Sequence, residues 1–129
     1  MILVHSSVWI DLLNNVVTEP VRRLRELIPT TPLLIGDLIL CEVLHGFRTD
    51  AQARLVERSL MRFGAVSLTD PELAVKAAAN YRFLRRHGIT IRKTIDLLIA
   101  TFCIERGHTL LHSDRDSAPM ESLLGLQTA

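Results

Sequence analysis

Short apolar runs, each broken off by a polar or glycine residue and followed by a helix-forming stretch, constrain this chain more than any other feature. Ile2-Leu3-Val4 stops at His5-Ser6-Ser7, Leu33-Leu34-Ile35 at Gly36-Asp37, and Thr109-Leu110-Leu111 at His112. Runs this short and continuously apolar read as strands buried on both faces, and Ala65 to Leu68 is a further candidate. Strands alternating with helices predict an α/β fold, with a short, mostly parallel central sheet covered by helices on both faces. Ligands of such sheets bind beyond the carboxyl ends of the strands, in the loops that lead into helices. Polar residues at those points are therefore the candidates for function.

The helices have recognisable starts and stops. Ser6 or Ser7 caps a first helix carrying Val8, Trp9, Leu12, Leu13 and Val16 at helical spacing. Thr18-Glu19-Pro20 opens a second, with Val21, Leu24, Leu27 and Ile28 on one face, and Pro29 and Pro32 close it. An apolar helix spans Leu38 to Phe47 and an amphipathic one Asp50 to Arg62. Thr69-Asp70-Pro71-Glu72 combines a capping box with a first-turn proline, and the helix it starts runs to Gly88. Thr94 caps a further helix through Arg106, stopped by Gly107. The polar loop His112 to Ser117 leads into a short terminal helix.

At 129 residues the chain is one domain, 1–129, and 48% hydrophobic residues exclude a disordered polymer. Its net charge of +1 provides no global basic field, so contact with nucleic acid has to come from local clusters. The opening run lacks a basic leader region, and nowhere do about 18 apolar residues follow one another. The expectation is a cytoplasmic protein with no membrane association. Cys41 and Cys103 lie in apolar stretches without metal-type spacing and read as two reduced, buried thiols.

Three acids stand where carboxylates are costly. Glu42 interrupts Leu38-Ile39-Leu40-Cys41-Glu42-Val43-Leu44, and Asp96 lies in the first turn of the apolar helix Thr94 to Ala100. Asp114 and Asp116 flank Arg115 after the last strand. Singly, each has an ordinary account, such as the macrodipole preference for an acid at Asp96. Their joint placement at equivalent ends of the fold points instead to a shared cation. Magnesium and manganese favour such hard oxygens, neutralise phosphodiester charge and generate a hydroxide nucleophile.

The ordered segments His5 to Asp11 (H-S-S-V-W-I-D), Glu42 to Gly46 (E-V-L-H-G), Thr94 to Ala100 (T-I-D-L-L-I-A) and Leu110 to Asp116 (L-L-H-S-D-R-D) resemble the PIN-domain ribonucleases. Within them the chain looks most like the VapC toxins of bacterial toxin–antitoxin pairs, over nearly its whole length. The resemblance implies a PIN-like fold and an endoribonuclease dependent on magnesium or manganese, with a metal-bound water as nucleophile. It also implies inhibition by a small VapB-like antitoxin and assembly as a homodimer or toxin–antitoxin hetero-oligomer. It places catalytic acids at Glu42, Asp96 and Asp114, with Asp116 as an accessory metal ligand. Ser6 matches the small hydroxyl residue beside the first acid of the family.

That first acid is missing. Where the family has aspartate after the first strand, this chain has His5, a metal-site position with altered chemistry. Imidazole offers a neutral nitrogen where a hard anionic oxygen is expected, so magnesium loses affinity, and manganese or zinc tolerates the exchange better. The expectation is an RNA-cleaving site of reduced activity. The alternative is a catalytically inactive PIN-fold module that keeps antitoxin binding. A receiver-like signalling domain would want paired acids after the first strand, and His5-Ser6-Ser7 supplies none.

Arg82, Arg85, Arg86, His87, Arg92 and Lys93 form the densest basic segment, leading into Asp96. Arg92 and Lys93, with Ser6 and Arg115, are the candidates for holding RNA. His108 and His112 share a strand face and suit a structural role better than a zinc pair. The helices Leu38 to Phe47 and Asp50 to Phe63 are the expected groove for an antitoxin helix.

Overall fold

Three of the apolar runs become strands that are covered on both faces, whereas the strand from the fourth, Gly64–Val66, lies at an edge and is largely exposed, contrary to expectation. The computed structural model describes residues 1–114 and 117–129. Its elements are β1 (Ile2–Val4), α1 (Ser6–Leu13), α2 (Glu19–Leu27), β2 (Leu33–Gly36), α3 (Asp37–Leu44) and α4 (Asp50–Leu60), then β3 (Gly64–Val66), α5 (Pro71–Arg86), α6 (Thr94–Arg106), β4 (Thr109–Leu111) and α7 (Ala118–Leu124). The strands are ordered β3-β2-β1-β4, and every pairing is parallel. Leu3 pairs with Leu34 on one side and Leu110 on the other. Successive strand residues point to opposite faces, and Leu3 and Val4 are both 0% exposed, so helices seal the sheet above and below. Around it α1 packs on α2 and α3, and α3 on α4, while α5 packs on α6 and α7.

The open edges are short. Beyond β4 the last residues run alongside it, with Leu110 N–H donating to the Gln127 carbonyl at 2.9 Å and Ala129 N–H to the Leu110 carbonyl at 3.0 Å. At the other edge β3 ends at Val66, earlier than the apolar pattern to Leu68 suggests. The Leu68 N–H is drawn off the sheet to Asp37 Oδ1 at 3.0 Å, and the same oxygen accepts from Leu38 N–H at 2.8 Å. Leu68 is thereby fully buried over Gly36. A Cβ built on Gly36 falls 2.3 Å from Leu68 Cδ1 and 2.5 Å from its Cγ. We expect Gly36→Ala to cost about 1–3 kcal/mol in urea unfolding, and the pair with Leu68→Ala to be less than additive.

Several helix ends differ from expectation for local reasons. Asp70, not Thr69, caps α5, its Oδ1 accepting from Leu73 N–H at 2.8 Å. Thr94 lies inside α6; Lys93 occupies the cap position, and no side chain caps that helix. α1 stops at Leu13 because Asn15 takes a left-handed conformation at φ 58°, so Val16 falls outside it and is exposed. α3 ends at Leu44, short of Phe47. Gly107 does terminate α6, at φ 69°. Cys103 is buried, and burial pushes its thiol up to about 12, which keeps it protonated and inert. Cys41 is exposed on α3, contrary to the expectation of two buried thiols, because the opposite side of that short helix, with Ile39 and Val43, faces the core. Among the described residues, no helix is long and apolar enough to cross a membrane.

Candidate active site

β1 and β4 are adjacent parallel strands, so the residues that follow them leave the sheet side by side. α3 and the first turn of α6 reach the same spot. The result is one cleft of about 290 Å3, lined by His5, Ser6, Glu42, Lys93, Asp96 and Asp114, with Ser7 and Ser113 at its walls. The four family positions expected to converge therefore do so.

His5 carries the geometry. Its backbone is extended (φ −66°, ψ 149°), and it is the N-cap of α1, displacing Ser6 and Ser7 from the capping role expected of them. Nδ1 accepts the Ser7 N–H at 3.1 Å and lies 2.8 Å from Ser7 Oγ. With Nδ1 an acceptor, the ring proton sits on Nε2, which donates to Asp96 Oδ1 at 2.9 Å. The side chain is only 10% exposed, so this bond is shielded from water. His5 thus supplies the cap that an aspartate in its place would supply, but presents an N–H where the aspartate presents an oxygen.

Beside it, Ser6 Oγ donates to Glu42 Oε1 at 3.0 Å. Ser6 lines the cleft but is only 3% exposed, and its hydroxyl is engaged with Glu42. At the other wall Asp114 N–H donates to His112 Nδ1 at 3.1 Å, and His112 Nε2 donates to Glu121 Oε1 at 3.2 Å. The loop bearing Asp114 is thereby pinned to α7. His108 has separate partners, accepting from the Met1 amine at 3.2 Å and stacking on Phe102 at 5.5 Å, so the two histidines do not form a metal pair. Burial, then the amine and the Arg106 guanidinium, hold the His108 imidazole below its ordinary range.

Of the substrate-contact candidates, Lys93 lines the cleft and Arg92 is exposed outside it. Arg115 and Asp116 lie outside the described residues. Arg82 and Arg85 border a different groove, between α5 and α6, where the Arg85 guanidinium sits 5.7 Å over the Tyr81 ring. Ser7, Ser113 and Ile10 also line the cleft, although the sequence pattern did not mark them as site residues. Ser7 was legible in principle, as the residue two past a strand-end cap.

Residues 2–121 match the sequence model of the PIN domain. The chain belongs to the PIN-domain family. Across its full length it is 28% identical to the VapC ribonuclease Mb1587 of Mycobacterium bovis and to ribonuclease VapC11 of Mycobacterium tuberculosis, and covers 98% of each. Its fold superposes on VapBC2 of Rickettsia felis, solved bound to a DNA fragment from its promoter, with a TM-score of 0.75 at 18% identity, covering 100% of this chain and 98% of that one.

PIN-domain nucleases are generally dependent on divalent metal. In this PIN domain, Glu42, Asp96 and Asp114 offer the oxygen chemistry that magnesium or manganese takes. The His5 corner does not fit such an ion. The Nδ1 lone pair is taken by Ser7, Nε2 carries a proton, and Asp96 Oδ1 already accepts that proton. Among the described residues, no three His, Cys, Asp or Glu side chains are disposed to enclose a metal ion. As arranged, His5 and Asp96 are joined by a histidine–carboxylate hydrogen bond inside the cleft.

Proposed function

We propose that this PIN domain is the toxin half of a type II toxin–antitoxin pair, an endoribonuclease of the VapC kind whose cleavage of RNA phosphodiester bonds is weakened by His5. Its full-length similarity to proteins named VapC ribonucleases supports this reading. The observation that carries it is the convergence of Glu42, Asp96 and Asp114 on one cleft at the ends of β1 and β4. Each side chain has its own part. Ser6 orients Glu42, His5 restrains Asp96, and Lys93 at the rim attracts the RNA backbone, assisted by Arg92 outside the cleft. Asp116 and Arg115 complete the set in this proposal. Magnesium or manganese is the ion that such carboxylates serve, held by them in proteins where the first position is also acidic.

The second reading is a PIN-fold module without catalysis that keeps its antitoxin. It is favoured by one observation, the 2.9 Å His5–Asp96 bond, which occupies a catalytic carboxylate.

Both readings require a partner, and an apolar groove is available for one. Trp9, Leu12, Ile28, Leu55 and Phe63 line a groove of about 520 Å3 between α1, the end of α2 and α4. α4 forms one wall of it, and α1 with the end of α2 the other. Leu55 is 64% exposed and Met61 51%, an apolar surface unusual for a face that stays in water. A VapB-like antitoxin laying an amphipathic helix here would give a hetero-oligomer, alone or on a toxin homodimer. The protein encoded by the adjacent short reading frame is expected to co-purify with this chain. Leu55→Asp should weaken that complex at least about tenfold in a calorimetric titration while leaving the melting temperature nearly unchanged, since Leu55 is not part of the core. Undiminished binding would remove α4 from the interface.

A further inference from the structure

A second cavity, of about 330 Å3, opens beside the acidic cleft and shares Ile10 and Glu42 with it. An occupant of the cleft would be separated from this space only by the shared Ile10 and Glu42 walls. Its other walls are chemically mixed. Phe47 is half-buried against the core and pairs with no other ring among the described residues, which leaves an aromatic surface in the wall. Asn14, Arg48 and Gln52 are exposed, and their side chains make no hydrogen bond or ion pair among the described residues. Two amides, each able to donate and accept, and one guanidinium are thus uncommitted around an aromatic floor.

We infer that this cavity is a nucleobase subsite that seats one base of a single-stranded RNA next to the bond presented to the cleft. The inference rests on the nuclease reading above and deepens it. Proteins read single-stranded RNA by stacking splayed bases on aromatic or guanidinium planes and bonding their edges. The cavity supplies both elements, and its volume, at the low end for small-ligand sites, suits a single ring system rather than a helix. The amides of Asn14 and Gln52 match the donor–acceptor edge of adenine best, and Arg48 is placed for the flanking phosphate. The larger apolar groove by Leu55, lacking such polar groups on most of its surface, suits a protein helix instead.

The test uses the native chain and the Asn14→Ala/Gln52→Ala variant, with five-nucleotide oligoribonucleotides of A, U, G or C. Binding is read by fluorescence anisotropy in magnesium, with gels confirming that the oligonucleotides stay intact. Both positions are exposed, and circular dichroism melts establish that the variant is folded. The native chain should bind oligo(A) about tenfold more tightly than the weakest of the four, and the variant should lose that margin. A preference for another single base that the variant erases also supports the subsite. Equal binding of all four, or a preference the variant retains, overturns it and leaves the cavity to a protein partner. If the native chain binds none of the oligonucleotides, the nuclease reading is overturned as well, which separates the two failures.

Discussion

His5→Asp should raise manganese affinity by about a hundredfold. Metal sites lose about 10–100-fold when even an outer partner of a ligand is removed, and in the proposed site position 5 is itself a ligand position. The substitution returns an anionic oxygen to the cleft and frees Asp96 Oδ1 from the proton it now accepts at 2.9 Å. The fold should tolerate the change, because aspartate is a preferred N-cap and can take the Ser7 N–H that His5 Nδ1 accepts. Calorimetric titration with manganese measures the gain directly. A thermal melt gives an independent readout, since an ion at about 100 times its dissociation constant stabilises the folded state by about 2.7 kcal/mol. The variant's melting temperature should therefore rise with manganese, whereas that of the native chain should barely move. Equal affinity in the two proteins would mean that Glu42, Asp96 and Asp114 do not form an ion site with position 5.

Leu3→Ala should cost more stability than Gly36→Ala or any change in the cleft, about 3–4 kcal/mol out of a total that is typically about 5–15 kcal/mol for a domain. Leu3 is 0% exposed at the centre of β1, with Leu34 and Leu110 as its strand partners, so neighbours held on both sides cannot collapse into the void. The melting temperature should fall by roughly 10 °C or more. Leu55→Ala, on the exposed face of α4, serves as the control and should change stability by less than about 0.5 kcal/mol. The same strand delivers His5 to the cleft, so loosening β1 disturbs both core and site.

Most of the sheet could be read from the sequence because β1, β2 and β4 are covered on both faces, which forces continuous runs such as Ile2-Leu3-Val4. The edge could not be read as well. Leu68 continues the apolar pattern of β3, yet Asp37, which lies 31 residues earlier, captures its N–H, and Gly36 gives its side chain a seat. The meeting of Glu42, Asp96 and Asp114 in one cleft was legible because Glu42 and Asp96 interrupt apolar stretches and Asp114 follows a strand end. What His5 does was not. That its Nδ1 caps α1 while Nε2–H engages Asp96 depends on the spacing of two elements 91 residues apart in sequence, which no local pattern encodes. That Ser6 sets its hydroxyl against Glu42 was hidden in the same way, because only the fold brings residues 36 apart together.

The most direct test is cleavage of a mixed cellular RNA pool in magnesium and in manganese by the native chain, His5→Asp, and His5→Asp combined with Asp96→Asn. Cleavage by His5→Asp at least about tenfold faster than by the native chain, abolished by chelation and by Asp96→Asn, is the result expected of a PIN nuclease weakened at one corner of its site. Native-chain cleavage as fast as that of His5→Asp, or no cleavage by either at any metal concentration, would contradict it.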